Sequence, residues 1–144
     1  MTTLAIEGVS KSFGTTRVLY EGVRAFLEQC EDRGLTLTVC TNKGRQDAAV
    51  LLAKREIEGF FSCVVGADTA GHPKPHAAPL LHALEATGAR VSRSLLIGDS
   101  HLDAECAARA GVPFLFHAEG FCASMQLAFP VAARFHKYGE LSKP

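Results

Sequence analysis

Apolar positions along the chain follow two alternating patterns. Short apolar runs bounded by turn residues indicate buried strands. These runs cover residues 4–6, 35–41, 63–66, 94–97 and 113–117. Between them, apolar residues recur at helical spacing and glycine often follows as a helix stop. These helical segments cover residues 23–30, 45–54, 79–87 and 101–110. The alternation predicts βαβ units, and therefore an α/β three-layer sandwich with a mainly parallel, Rossmann-like sheet.

The composition limits the classes of function. The chain has 144 residues, of which 47% are hydrophobic and 21% charged, so it fits one globular domain over residues 1–144. Its formal net charge of zero gives no field to recruit nucleic acid or an anionic membrane. Without a long apolar span or leader, we expect a soluble cytoplasmic protein. The five cysteines include no Cys-x-x-Cys pair, which argues against a zinc site or a disulfide framework.

Two aspartates follow the strand predicted at residues 94–97. Asp99 would lie at the carboxyl end of this strand, and Asp103 in the first turn of the next helix, for which Ser100 is a suitable N-cap. Open α/β sheets bind ligands in the crevice at this edge, and two carboxylates there suit Mg²⁺. The alternative is structural, namely a helix cap and an acidic first turn that complements the helix dipole.

Other polar residues reach the same edge of the predicted sheet. Thr41 and Asn42 close the strand at 35–41, and Lys74 lies between prolines in the loop before the helix at 79–87. A hydroxyl, an ammonium group and a metal site on one edge form a receptor for phosphate. Each residue also has an ordinary role, because Thr-Asn after a strand is commonly a turn or cap, and a lysine between prolines is commonly a solvated loop residue.

Four short segments stand in a definite order along the chain. They are YEGVR at residues 20–24, LTVCTNK at 37–43, GHPKP at 71–75 and LIGDSHLD at 96–103. In this order they resemble the haloacid dehalogenase (HAD) superfamily, and within it the phosphoglycolate phosphatase-like branch. The resemblance runs from about Tyr20 to about Gly120. It implies a HAD-like fold and a Mg²⁺-dependent phosphatase that acts on phosphomonoesters.

The resemblance also implies a phosphate pocket. Thr41 would be the hydroxyl that binds the phosphoryl group, with Asn42 beside it. Lys74 would be the cation that neutralises this group. Ser100 and His101 would line the same pocket, with Ser100 as a phosphate-binding residue.

The metal and the nucleophile complete the site of the family. By the resemblance, Asp99 would be a Mg²⁺ ligand and Asp103 would support it. Family phosphatases open with an apolar strand that ends in Asp-x-Asp-Gly-Thr, in which the first Asp is the nucleophile and the second is the general acid/base. This chain has no aspartate before Asp32.

Two placements of the missing motif stay open. If the first apolar run is the strand, Glu7 takes the nucleophile position and Val9 that of the acid/base. If residues 14–15 are the Gly-Thr of the motif, Lys11 and Phe13 take those positions. Neither placement supplies both carboxylates, because glutamate is one methylene longer than aspartate and valine cannot transfer a proton.

The cap insertion of the family also has no room before Tyr20, so residues 1–19 form an atypical start in place of the nucleophile motif. We therefore expect a capless HAD-like hydrolase with weak or no turnover, in which Glu7 substitutes as nucleophile. The alternative is a non-catalytic pseudophosphatase that binds phosphate or a protein. The expected partners are a small phosphorylated molecule or inorganic phosphate, and weakly bound Mg²⁺. Apolar residues 60–61 and 114–116 would form either a homodimer contact or simple core.

Overall fold

The computed structural model describes residues 3–6, 10–13, 16–118 and 128–142. The strands are β1 (Thr3–Ile6), β2 (Ser10–Phe13), β3 (Thr16–Leu19), β4 (Thr36–Cys40), β5 (Cys63–Val65), β6 (Ser94–Gly98), β7 (Phe114–His117) and β8 (Ala133–Phe135). The α-helices are α1 (Val23–Asp32), α2 (Arg45–Lys54), α3 (Ala78–Ala86) and α4 (His101–Ala110). Short 3₁₀ helices cover Glu58–Phe60, Val91–Arg93 and Tyr138–Ser142.

Six of the described strands form one parallel sheet in the order β5-β4-β1-β6-β7-β8. The central strand β1 pairs on both sides, since Ile6 is in register with Val39 of β4 and with Ile97 of β6. The predicted α/β fold with a parallel sheet is therefore confirmed, and the candidate strand at residues 4–6 lies in the middle of the sheet. The additional edge strand β8 comes from a part of the chain where the apolar pattern is weak.

A hairpin outside the main sheet bears on the two placements of the missing motif. Strands β2 and β3 pair antiparallel and form a separate two-stranded sheet. Lys11 and Phe13, the residues of one placement, lie in β2 and therefore do not follow a strand of the main sheet. Ile6 instead ends the central strand, as the other placement requires. Glu7 and Val9 themselves lie outside the described residues.

Alternation along the strands sends side chains to two hydrophobic layers. On one face, Ile97 packs with Leu27 of α1 and with Tyr138. On the other, Leu96 packs with Leu80 of α3 and with helix α4. Glycine stops separate these elements, as the pattern predicts, and Gly34, Gly88 and Gly111 have φ values of 71°, 67° and 74°.

The apolar segments considered for a homodimer contact lie largely in these layers. Phe114 and Phe116 are 2% and 0% exposed and belong to the core on the α3 and α4 side. Phe60 and Phe61 are partly buried against the opposite layer. The core alternative therefore holds for Phe114 and Phe116, and the homodimer stays a prediction. Among the described residues, no helix combines the length and the apolar character needed to cross a membrane.

Candidate functional site

The carboxyl ends of β4 and β6, on either side of β1, bring the predicted polar residues to one edge of the sheet. Thr41 directly follows β4, and Asp99 directly follows β6. Both are largely buried, with 4% and 7% exposure. The Lys43 amide donates to Thr41 Oγ1 at 3.2 Å, which folds the start of the β4–α2 loop around this hydroxyl.

Lys74 is a buried cation at this edge. Its Nζ donates to the Cys40 carbonyl at 2.9 Å and to Asp103 Oδ1 at 2.5 Å. The Asn42 amide group holds the lysine backbone in place, because its Oδ1 accepts from Lys74 N at 2.8 Å and its Nδ2 donates to Lys74 O at 3.0 Å. Asn42 therefore positions the Lys74 loop, while its predicted contact with phosphate stays a prediction.

Asp103 joins the lysine to the start of α4. It is fully buried, and its Oδ1 receives Lys74 Nζ. Its Oδ2 accepts from the amide of Asp99 at 3.2 Å and from the amide and hydroxyl of Ser100 at 3.2 and 3.0 Å. The Asp103 amide in turn donates to Ser100 Oγ at 3.2 Å, which completes a capping box. The capping role considered for this pair is thus present in the structure.

The described residues do not by themselves fit a complete Mg²⁺ site. Both oxygens of Asp103 are engaged by Lys74 and by the cap of α4. Within the described ranges, no group of three or more His, Cys, Asp and Glu side chains is arranged to hold a metal. Mg²⁺ requires near-octahedral oxygen coordination, to which a carboxylate at Asp99 alone would contribute only a part. The metal roles of Asp99 and Asp103 therefore stay predictions.

The remaining predicted site residues are Ser100, His101 and Glu7. Ser100 is half-buried at the N-cap of α4, next to Asp99, whereas His101 is exposed in the first turn of the helix. Glu7, which follows Ile6 in the sequence, lies outside the described residues. The structure thus brings together Thr41, Lys74, Asp99, Ser100 and Asp103, and their roles toward phosphate stay predictions.

A contact between the aromatic rings of Tyr20 and His117 was not predicted. The ring of Tyr20 meets that of His117 edge-on, with centroids 4.6 Å apart. Burial raises the pKa of the Tyr20 hydroxyl, and the negative charge of Asp99 raises it further. His117 is 1% exposed, and its Nε2 is hydrogen-bonded to the His136 carbonyl at 3.1 Å. Two features of the sequence could have indicated these residues. Tyr20 opens one of the four segments, and His117 ends a predicted strand.

The arrangement at this edge agrees with an independent match to known families. A model of the haloacid dehalogenase-like hydrolase family matches residues 4–117. The chain belongs to this family. The match starts within β1 and ends at His117, so it covers both the central strand and the strands that carry Thr41 and Asp99.

Individual relatives agree with the family assignment. The phosphoglycolate phosphatase of Rhodobacter capsulatus is 32% identical over 123 residues, which are 85% of this chain and 55% of the relative. A HAD-superfamily hydrolase from Geobacter sulfurreducens superposes with a TM-score of 0.76 at 32% identity and covers 88% of this chain and 60% of its own. A structure from Haemophilus somnus, described as a predicted phosphoglycolate phosphatase, gives 0.82 at 25% identity, covering 90% and 58%. The chain thus spans little more than half the length of these relatives.

Proposed function

We propose that this protein binds phosphate or a small phosphorylated molecule at the edge formed by Thr41, Lys74 and Asp99, with weak or no hydrolysis of phosphomonoesters. The observation that carries the proposal is the buried Lys74 ammonium held between the Cys40 carbonyl and Asp103. A buried cation beside a hydroxyl and the N-terminus of the ten-residue helix α4 favours an anion.

The weak turnover follows from the residues after β1. Ile6 ends the central strand, which supports the placement that gives Glu7 the position of the family nucleophile and Val9 that of the acid/base. Loss of a nucleophile usually lowers the rate by several orders of magnitude. A glutamate displaced by one methylene is the substitute nucleophile that we propose for any remaining turnover.

The proposal also includes the absence of a cap. Only residues 7–22 separate β1 from α1, and they include the hairpin β2–β3. This length supports a HAD-like core domain without the cap of the family at this position, so that the substrate-selecting part is absent or supplied by a partner. Mg²⁺ is the cofactor that we expect at Asp99, and its binding is expected to be weak because Asp103 is engaged by Lys74.

A non-catalytic phosphate-binding module remains the second candidate, favoured by the lack of a second carboxylate at Val9.

The first test is phosphatase turnover on an aryl phosphate in the presence of Mg²⁺. We expect little or no turnover in the parent protein. Any remaining rate is expected to disappear in Asp99→Asn and in Glu7→Gln, while the exposed Asp32→Asn serves as the matched control and leaves it unchanged. Robust turnover that is insensitive to Glu7, Lys74 and Asp99 would contradict the proposal.

The second test is binding of phosphate itself. Phosphate at several millimolar is expected to raise the melting temperature, because a ligand that binds only the folded state stabilises it. Lys74→Met is expected to remove this shift, and Thr41→Val to reduce it if the lysine variant is too unstable to measure. Lys43→Met, which changes an exposed lysine of the β4–α2 loop near Thr41, is the control. Absence of any phosphate effect in the parent protein would count against the site.

A further inference from the structure

A cavity of about 190 Å³ lies between the sheet and helix α1, remote from the phosphate site. Arg33 follows the C-terminal end of α1, and Leu35 precedes the amino end of β4. Both line this cavity, so it opens toward the amino edge of the sheet. Thr41 and Asp99 lie at the opposite, carboxyl edge, and the two sites therefore do not overlap.

The interior of the cavity is apolar. Its walls come from α1, from strands β6 and β7, and from the last 3₁₀ helix. The aliphatic side chains that line the cavity are Leu95, Ile97, Leu115 and Leu141 from these elements and Leu35 from the residue before β4. An apolar cavity of about 150 Å³ stays dry and binds a molecule the size of benzene. This cavity is therefore suited to a hydrocarbon group of at least that size.

The polar groups of the cavity lie at one end and are not acidic. Gln29, near the end of α1, is half-buried, and Arg33, the residue after α1, is exposed; both line the cavity. Of the described side chains that line the cavity, none carries a negative charge. Burial raises the pKa of the Cys30 thiol to about 11, and the charge of Arg33 acts in the opposite direction. The positive charge of Arg33 thus offsets part of the rise in the pKa of the Cys30 thiol, which lines the cavity.

We propose that this cavity binds a small amphiphilic carboxylate. The hydrocarbon part would lie among the leucines, and the carboxylate would receive hydrogen bonds from the Arg33 guanidinium at the mouth. Charge complementarity supports an anionic head group, because a guanidinium pairs with carboxylate in a bidentate geometry. The volume supports a tail the size of an aromatic ring or a medium alkyl chain. The Cys30 thiol is buried and protonated at neutral pH, which favours reversible binding over covalent capture.

Octanoate and octan-1-ol are a matched pair of probes, because they share a chain length and differ in charge. Titration of the whole chain by calorimetry is expected to show binding of both, with octanoate the tighter. In Arg33→Gln, octanoate is expected to bind about tenfold more weakly or worse, while octan-1-ol is unchanged. Arg93→Gln removes an exposed arginine that does not line the cavity, and it is expected to bind both probes like the parent protein.

Amide chemical shifts locate the bound probe. Octanoate is expected to shift the signals of Gln29, Arg33 and Leu141 and to leave the phosphate-induced melting shift of the parent protein unchanged. That retained shift separates this site from the proposed phosphate site. The proposal is overturned if octanoate does not bind at several millimolar, if the shifted amides lie elsewhere, or if Arg33→Gln weakens both probes equally. A folded Leu115→Phe variant, which fills the cavity, is expected to bind neither probe.

Discussion

Lys74 and Asp103 form an ion pair in which both side chains are almost fully buried, with 3% and 0% side-chain exposure. Two buried charges are tolerated only when further hydrogen bonds satisfy them, and here the Cys40 carbonyl and the cap of α4 do so. The same contacts leave the lysine with little freedom to move. A rigid ammonium is the kind of group that can stabilise charge on a phosphoryl group without reorganising.

Gly98 makes room for this ion pair. A Cβ atom added at Gly98 would lie 2.5 Å from Asp103 Oδ2 and 2.6 Å from its Cγ. We expect Gly98→Ala to displace the carboxylate, to weaken its pairing with Lys74, and to lower the free energy of unfolding by about 1–3 kcal/mol. Urea denaturation measures this change, and the phosphate-induced melting shift should shrink in parallel.

Gly59→Ala is the control for that substitution. A Cβ atom at Gly59 would meet no atom within 4 Å, so this variant is expected to stay within about 0.5 kcal/mol of the parent protein. Equal stability of the two alanine variants would show that Asp103 adjusts without cost, and the positioning role given to Gly98 would then be rejected.

Among the elements, α4 depends most visibly on its first residues. Ser100 Oγ accepts from the Asp103 amide at 3.2 Å and donates to Asp103 Oδ2 at 3.0 Å. Ser100→Ala removes both bonds, and we expect a loss of about 1 kcal/mol in the free energy of unfolding. Chemical denaturation checks this value against Ser92→Ala, an exposed serine in the 3₁₀ helix Val91–Arg93. An equal effect of the two substitutions would contradict a specific capping contribution.

The apolar pattern of the sequence did not predict the two strands of the hairpin or the last strand, β8. Strand β8 has three residues, of which only Phe135 is buried. A segment so short carries too few positions for a period of two to be recognised, and its identity depends on pairing with β7. Strands β2 and β3 are likewise defined by pairing with each other. Helix α2 was predicted with the bounds that the structure has.

The stability of the whole molecule is expected to depend on pH in the alkaline range. Burial raises the pKa of the Cys30 and Cys106 thiols from 9.0 to about 11, and it also raises that of Cys63. The folded state therefore keeps these protons more firmly than the unfolded chain does. This contribution to stability is complete below pH 9 and is lost as the pH rises toward about 11.

Urea denaturation at a series of alkaline pH values tests this dependence. The free energy of unfolding of the parent protein should fall as the pH rises from 9 to about 11. Cys106→Ala should be less stable at neutral pH and should show a shallower fall, because one of the shifted thiols is gone. Parallel curves for the two proteins would show that Cys106 does not contribute to the alkaline loss.

The sequence by itself determined the class of fold, the central strands and the family. It also predicted the ends of the four α-helices to within two residues. These properties depend on local patterns, because hydrophobic period, glycine stops and short motifs such as LIGDSHLD are written in consecutive residues. The edge at which Thr41, Lys74 and Asp99 meet also followed, since parallel strands carry their carboxyl ends to one side.

Only the tertiary structure decided what these residues contact. Asp103 pairs with Lys74 across 29 positions of sequence, and Asn42 holds the Lys74 backbone across 32. The cavity beside Arg33 likewise depends on how α1 and the last 3₁₀ helix pack on β6 and β7. That residues 3–6, and not residues 10–13, form the central strand was likewise decided by which segment pairs with both β4 and β6. Such contacts arise from packing between distant segments, and their geometry has no counterpart in the pattern of neighbouring residues.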